Sequence, residues 1–265
     1  MYGSIRGQKA CYSSWGLRLG QLLLLTTFPW SMSAQNSPFQ SEAINRMLRA
    51  FDKADVVALS DHHLSKVDSD LRISLVRHPD FPRRAQAIVV EFGNALYQPI
   101  LDRYIRGEDV PFSQLQQIWQ NTTQVGRVSD SPVYAGFFWA VREVNRGLSP
   151  AKKLRIFAGA PPIDWSKVKT PAEFRAIVVH RDDFPLSVIR DQILQKGLKA
   201  LVIYGGAHLR PTSSMVRGLE QSHPGRLFVY LIDSNAEDGI QIGPNPAINR
   251  DEVEMERRRN IVFGH

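Results

Sequence analysis

The stretch Ala200-Leu201-Val202-Ile203-Tyr204-Gly205-Gly206-Ala207-His208 decides how the chain reads. Five apolar residues in a row, with no polar alternation, fit a strand covered on both faces, as in a parallel sheet packed between helices. The two glycines let the backbone turn sharply at the strand end and bring His208 over the sheet edge without a Cβ clash. Four other short apolar runs follow the same plan, at 56–59, 87–92, 154–158 and 227–232. Between the runs lie segments of helical period at 41–53, 64–77, 95–105, 112–121, 134–146, 171–180, 186–195 and 213–221. This alternation predicts an α/β fold with a mainly parallel central sheet flanked by helices. The interval between the second and third runs holds three helices where a crossover needs one. A helical insert at about 95–147, a subdomain or lid over the sheet edge, is therefore expected.

Working outward, 265 residues with 43% hydrophobic and 22% charged content describe an ordinary globular chain. The N-terminus has the pattern of an export signal: Arg6, Lys9 and Arg18, then an apolar stretch at 19–30, then Ser31-Met32-Ser33-Ala34 ending in small residues. The expected organisation is a signal peptide at 1–34, a linker at 35–41, an α/β domain at 42–233 and an irregular tail at 234–265. The protein is then exported, periplasmic or secreted. The alternative is an uncleaved N-terminal membrane anchor, although Pro29 interrupts a run shorter than the ~20 residues a span needs. The only cysteine, Cys11, precedes the apolar stretch, so the mature chain offers no thiol chemistry. Removing Arg6, Lys9 and Arg18 takes three charges from the formal net charge of +7 and leaves +4. Apart from Arg257–Arg259, which acidic residues flank, the remaining basic residues are scattered, with no stripe interleaved with aromatics, which argues against a nucleic-acid partner.

In open parallel sheets, ligands bind beyond the carboxyl ends of the strands. Those ends read Ser60-Asp61-His62-His63, Val90-Glu91-Phe92-Gly93-Asn94, Gly159-Ala160-Pro161-Pro162-Ile163-Asp164-Trp165, Gly205-Gly206-Ala207-His208 and Asp233-Ser234-Asn235. Of seven histidines in the chain, three fall in these turns. A histidine held by a carboxylate can take a proton from water near neutral pH. The same groups can hold a divalent metal or ligate haem iron. Glu91, closing an apolar strand, would be costly to bury unpaired, so a partner is expected for it. Asp61 and Asp164 each carry a second reading as helix or turn caps. His62 has one as a side chain that diverges from its neighbour. Trp119, Tyr134, Phe137, Phe138 and Trp139 lie at helical spacing and fit either a pocket wall or the core. No G-x-S-x-G elbow, phosphate loop, G-x-G-x-x-G or H-E-x-x-H is present.

The paired turns 60–63 and 205–208, with strand-end Glu91 between them, resemble the erythromycin esterase/ChaN-like superfamily, which also takes in Tiki and TraB proteins. The stretches 57–63, 89–94 and 161–165 are similar to an exported branch of it, and the resemblance spans roughly 42–233. By that resemblance His63 would be a general base, Glu91 its orienter or water-polarising partner, and His208 the group that stabilises or protonates at the reacting carbonyl. Tiki-type members imply instead a metal held by His63, Glu91 and His208, and ChaN-type members imply haem. Ser60-Asp61 departs from the Gly-Glu of the family pattern. The expected function is hydrolysis of an ester or amide-like bond by activated water, with His63, Glu91, His208 and Asp61 catalytic. Asp164 and His62 would stand behind them. The substrate would be a small molecule or a peptide. The alternatives are a haem- or metal-binding protein without catalysis, or a degenerate non-catalytic domain.

Overall fold

The computed structural model of the protein describes residues 38–124, 131–233 and 241–244. The expected signal segment, the first linker residues and most of the expected tail lie outside the described residues. Six strands are present: β1 Val56–Asp61, β2 Ala87–Asn94, β3 Arg155–Ala160, β4 Ala200–Gly205, β5 Leu227–Asp233 and β6 Gln241–Pro244. Around them run the helices α1 Pro38–Ala50, α2 Lys66–Arg77, α3 Phe81–Arg84, α4 Gln98–Arg106, α5 Phe112–Leu115, α6 Gln117–Gln120, α7 Pro132–Arg146, α8 Pro171–Val179, α9 Asp183–Val188 and α10 Ser214–Ser222. Each of the five apolar runs is a strand, as the unbroken hydrophobicity requires. Most extend a residue or two further, because the ladder continues through Ser60-Asp61, Gly93-Asn94 and Gly159-Ala160.

The sheet order is β3-β2-β4-β1-β5-β6. The first five strands are parallel, and β6 pairs antiparallel with β5 in a region expected to be irregular. After β1 the chain moves two places aside to β2 and on to β3. It then returns to lay β4 into the open slot, so that β4 pairs with β2 on one side and β1 on the other. The carboxyl ends of β2, β4 and β1 therefore stand side by side.

Alternation sorts the strand residues onto two cores. Val57, Leu59, Ile88, Val90, Phe92, Leu201 and Ile203 pack with α1, α2 and the helices between β2 and β3. Ala58, Val89, Val202 and Val229 pack with Ile189, Ile193 and the apolar side of α10. The expected insert belongs to the first of these layers: Leu101, Ile118, Trp119, Tyr134, Phe137 and Phe138 are buried in the same cluster as the sheet. It covers a sheet face and is no detached lid, and four of the five candidate wall aromatics are core. The fifth, Trp139, is exposed under the Arg77 guanidinium. The expected helix at 186–195 is broken into α9, a π-turn at Ile189–Ile193 and a 3₁₀ turn that closes on Gly197 at φ 64°.

Two local features fix the sheet edge. In β2, Val90 pairs with Ala158 and Asn94 with Ala160, so β2 spends two more residues than β3 over the same length. This bulge brings Gly93 against β3, where a Cβ would stand 3.0 Å from Ala158 Cα. Only glycine permits that approach. Asn94, fully buried, then donates to the carbonyls of Asn121 (2.7 Å) and Ile163 (2.8 Å) and accepts from the amides of Leu96 (2.9 Å) and Ile163 (3.1 Å). One side chain thus ties together the turns that follow β2, α6 and β3.

Candidate active site

The site assembles at the adjacent ends of β1, β2 and β4. Glu91, raised by the β2 bulge, accepts from the Gly205 amide through Oε2 (2.6 Å). Its Oε1 stands 3.3 Å from His208 Nε2 and 4.0 Å from His63 Nε2. Glu91 thus lies between the two histidines that the paired turns present. Gly205 leaves room for this: a Cβ there would sit 3.2 Å from Glu91 Oε2 and 3.4 Å from the His63 ring.

Each histidine is gripped from behind by an aspartate. His63 Nδ1 is 3.3 Å from Asp61 Oδ2, and the other oxygen of Asp61 accepts from Arg72 of α2. Arg72 is 1% exposed and lies against Phe92, Tyr134 and Phe137, with its guanidinium carbon 5.0 Å from the Phe92 ring centre. His208 Nδ1 meets Asp182 at 2.5 Å, from the turn that leads into α9. Gln124 Nε2 reaches the His63 ring at 3.5 Å, and its oxygen accepts from Tyr134 Oη at 3.4 Å. Arg72, Asp182 and Gln124 were not singled out by sequence. In helical or turn segments a charged or amide residue reads as surface, and only burial distinguishes these.

The electrostatics follow from this packing. Burial on its own raises the Glu91 carboxyl, but the hydrogen bond and charge of His208, the Gly205 amide and the His63 charge outweigh it and hold the pKa at about 2. Burial on its own lowers His208. Its hydrogen bonds to Asp182 and Glu91, with their charges, push it up to about 9. The hydrogen bond that His63 donates to Asp61 raises His63 above the ordinary 6.5, against the opposing effect of burial. At neutral pH His208 is an imidazolium with both N–H groups committed, whereas His63 is the more open ring, with 32% of its side chain exposed.

The remaining candidates go elsewhere. His62 is half exposed and turns to Asp68, which accepts from its Nδ1 (3.1 Å) and its amide (2.9 Å). Asp61 caps no helix, since Ser65 holds the cap of α2. Asp164 orients no histidine. It accepts from the Ser166 amide (3.1 Å) and hydroxyl (2.6 Å), pairs with Lys167, and serves as the turn cap. The expectation of a metal or haem ligand set is corrected here. Among the described residues no group of three or more His, Cys, Asp or Glu is disposed to hold a metal ion. Among the described residues no helix is long and apolar enough to cross a membrane.

Neither a family profile nor a curated protein matches the sequence. Similar solved structures are bacterial toxins. The C-terminal region of Pasteurella multocida toxin, whose structures are described as revealing a thiol-protease-like catalytic triad, superposes with a TM-score of 0.50 at 12% identity over 76% of this chain. RRSP, a MARTX toxin effector domain from Vibrio vulnificus, gives 0.47 at 18% identity over 78%. A further bacterial toxin structure gives 0.46 at 16% identity over 80%. This chain spans 26% of the first of those chains and 39% of each of the other two. The likeness to the Pasteurella toxin is one of fold. It corrects the resemblance drawn from the short turns: the structures this chain is similar to are toxin domains, and the esterase/ChaN, Tiki and haem-uptake assignments are withdrawn. Four-residue turns at strand ends recur wherever a parallel sheet carries a site, so they could not carry a family by themselves.

Proposed function

We propose that the protein is a hydrolase in which His63 activates a water molecule against a carboxylic ester or amide, within a catalytic unit at about 42–233 of an exported chain. The single observation that carries this reading is the placement of Glu91 between His63 and His208, each ring backed by its own aspartate. Asp61 accepts at His63 Nδ1, which directs the basic Nε2 toward Glu91. A water seated between them gives its proton to His63 as it attacks the carbonyl, and His63 returns that proton to the leaving group. Glu91 is a poor nucleophile in its own right. Its oxygens already accept from Gly205 and His208, and its pKa of about 2 makes it a weak base. The His208 cation supplies positive charge beside the carbonyl oxygen as that oxygen becomes negative. A thiol nucleophile is not available among these residues, since the only cysteine is Cys11.

The test is a screen of chromogenic esters and peptides on the purified protein, followed by His63→Gln and Glu91→Gln. Loss of roughly 10²–10⁴-fold in kcat with an unchanged circular dichroism spectrum is expected. Hydrolysis that survives both substitutions overturns the reading. The rate should rise as His63 loses its proton above pH 6.5 and fall as His208 loses its own near pH 9.

A further inference from the structure

Hydrolysis of an ester or amide calls for a hydrogen-bond donor on the carbonyl oxygen as that oxygen becomes negative. Most donors around the site are already spent. The Gly205 amide donates to Glu91, the His62 amide to Asp68, and the two ring N–H groups of His208 to Asp182 and Glu91. His208 therefore brings charge to the oxygen without a free N–H. Gln124 differs. Its side-chain Nε2 lies 3.5 Å from His63 Nδ1 and 3.5 Å from His63 Nε2. The lone-pair directions of an imidazole diverge, so an atom equidistant from the two nitrogens lies along neither. Nδ1 is in any case turned to Asp61. The Gln124 amide borders the ring without spending its N–H groups on it.

The amide is also held one way round. Tyr134 Oη donates to Gln124 Oε1 at 3.4 Å. Burial, helped by the Asp61 charge, pushes the Tyr134 phenol up, so it keeps the proton that this bond needs. Tyr134 is itself buried and stacked on Phe92, with ring centres 4.4 Å apart. Because the oxygen is tied to that phenol, the NH2 end of Gln124 faces His63. The backbone is anchored as well. The Gln124 amide donates to Thr122 Oγ1 (3.3 Å), and the buried Thr122 hydroxyl donates to the Trp119 carbonyl (3.3 Å). A donor fixed before the substrate arrives needs no reorganisation during the reaction.

We infer that Gln124 is a further catalytic residue, whose Nε2 donates to the carbonyl oxygen of the substrate. The inference rests on the hydrolase reading and supplies the donor which that reading lacks. As the water oxygen bonds to the carbonyl carbon, the water proton passes to His63 Nε2 and the π pair of the carbonyl moves onto oxygen. A water hydrogen-bonded to His63 Nε2 stands about 2.8 Å from it. The carbonyl carbon approaches that water to about 3 Å. A donor 3.5 Å from the same nitrogen borders the point of attack and reaches the carbonyl oxygen there. The His208 cation then balances the new charge, and Gln124 makes the hydrogen bond.

The experiment compares phenyl acetate with its thiono analogue, in which sulfur, a weak hydrogen-bond acceptor, replaces the carbonyl oxygen. Gln124→Met keeps the length of the side chain and removes the donor. Its kcat on phenyl acetate should fall about 10²-fold with KM little changed. On the thiono ester the fall should be at least roughly tenfold smaller, because the wild-type donor gains little there. Gln124→Glu keeps the acceptor for Tyr134 and should discriminate between the two esters in the same way. A kcat unchanged in both variants, or equal falls on both esters, overturns the inference, since a residue that only supports the fold or His63 does not distinguish oxygen from sulfur. Trifluoroacetophenone, which takes up water at its carbonyl but has no leaving group, is titrated in parallel by fluorine NMR. Ketone affinity lowered at least roughly tenfold in Gln124→Met, without hydrolysis of any ester, would retain the carbonyl donor and reject the hydrolase. Hydrolysis that depends on His63 but is indifferent to Gln124 would do the reverse. Neither hydrolysis nor ketone binding would overturn both.

Discussion

Replacing Asp182 by asparagine isolates the charge that holds His208 protonated. In the folded protein His208 has a pKa of about 9, against an ordinary 6.5. Proton binding to the folded state is thus favoured. The stabilisation is fully present below pH 6.5 and is lost as the pH rises through 9. At about 1.4 kcal/mol for each unit of pKa, the difference amounts to about 3 kcal/mol. Only 8% of the His208 side chain is exposed, so solvent screening removes little of this. The same ion pair also sets the low pKa of Glu91, so the two shifts describe one interaction and are not summed. Asp182→Asn leaves a neutral acceptor on Nδ1 and keeps Glu91 on Nε2. About half of the effect should remain, some 1–2 kcal/mol. Urea unfolding of the parent and the variant, at half-unit steps from pH 6 to 9.5, reads this directly. The parent should lose about 3 kcal/mol between pH 6.5 and 9, and the variant about half that. Two parallel curves would refute the assignment of the His208 proton to Asp182 and Glu91 together.

Four further outcomes follow from the packing. Arg72→Met strands the buried Asp61 carboxylate and should destabilise the protein by about 3–5 kcal/mol in urea unfolding, whereas Arg72→Met combined with Asp61→Asn should recover much of the loss. Gly159→Ala puts a Cβ into the Tyr204 hydroxyl and 2.9 Å from the Val90 carbonyl, so a fall in Tm of several degrees is expected. Tyr204→Phe removes a buried hydroxyl that has no hydrogen-bond partner among the described residues, and it should change stability by less than about 1 kcal/mol. Leu64→Asn relieves a positive-φ leucine and should raise stability by about 1 kcal/mol, read as a higher midpoint in thermal unfolding.

The strands were legible because burial on both faces writes an unbroken apolar run, and each of the five runs became a strand. Their ends were less so. Ser60 and Asp61 belong to β1, but polar residues in a ladder look like a turn. β6 has no apolar run and rests on its pairing with β5. Proximity to strand ends marked His63, Glu91 and His208 as candidates. Their convergence depends on the β2-β4-β1 order, which follows from β4 filling a slot left two strands earlier. No local pattern encodes that return. Arg72 shows the same limit from another side. Asp68 and Arg72 sit four residues apart on α2 and look like a surface ion pair, yet both are buried and face different partners, His62 and Asp61. Asp182, in Arg181-Asp182-Asp183, is likewise indistinguishable by composition from a helix-start residue. The family resemblance failed because it rested on short turns, whose chemistry many parallel sheets share.

The bulge in β2 also constrains the ways the gene could change length here. Side chains alternate along a strand, and the surplus of β2 over β3 between Val90 and Asn94 is an even number, so Asn94 returns to its proper face. Deleting one residue from 91–93 would turn Asn94 the other way and strip four hydrogen bonds from the node that joins three turns. Deleting Glu91 and Phe92 together would restore the parity, but it would remove both the carboxylate between the two histidines and the Phe92 ring that fills the core against Tyr134, Phe137 and Phe138. Insertions and deletions at this point are admissible only in pairs. The two residues by which β2 exceeds β3 thus serve the core and the candidate site at once, and neither can be given up without the other.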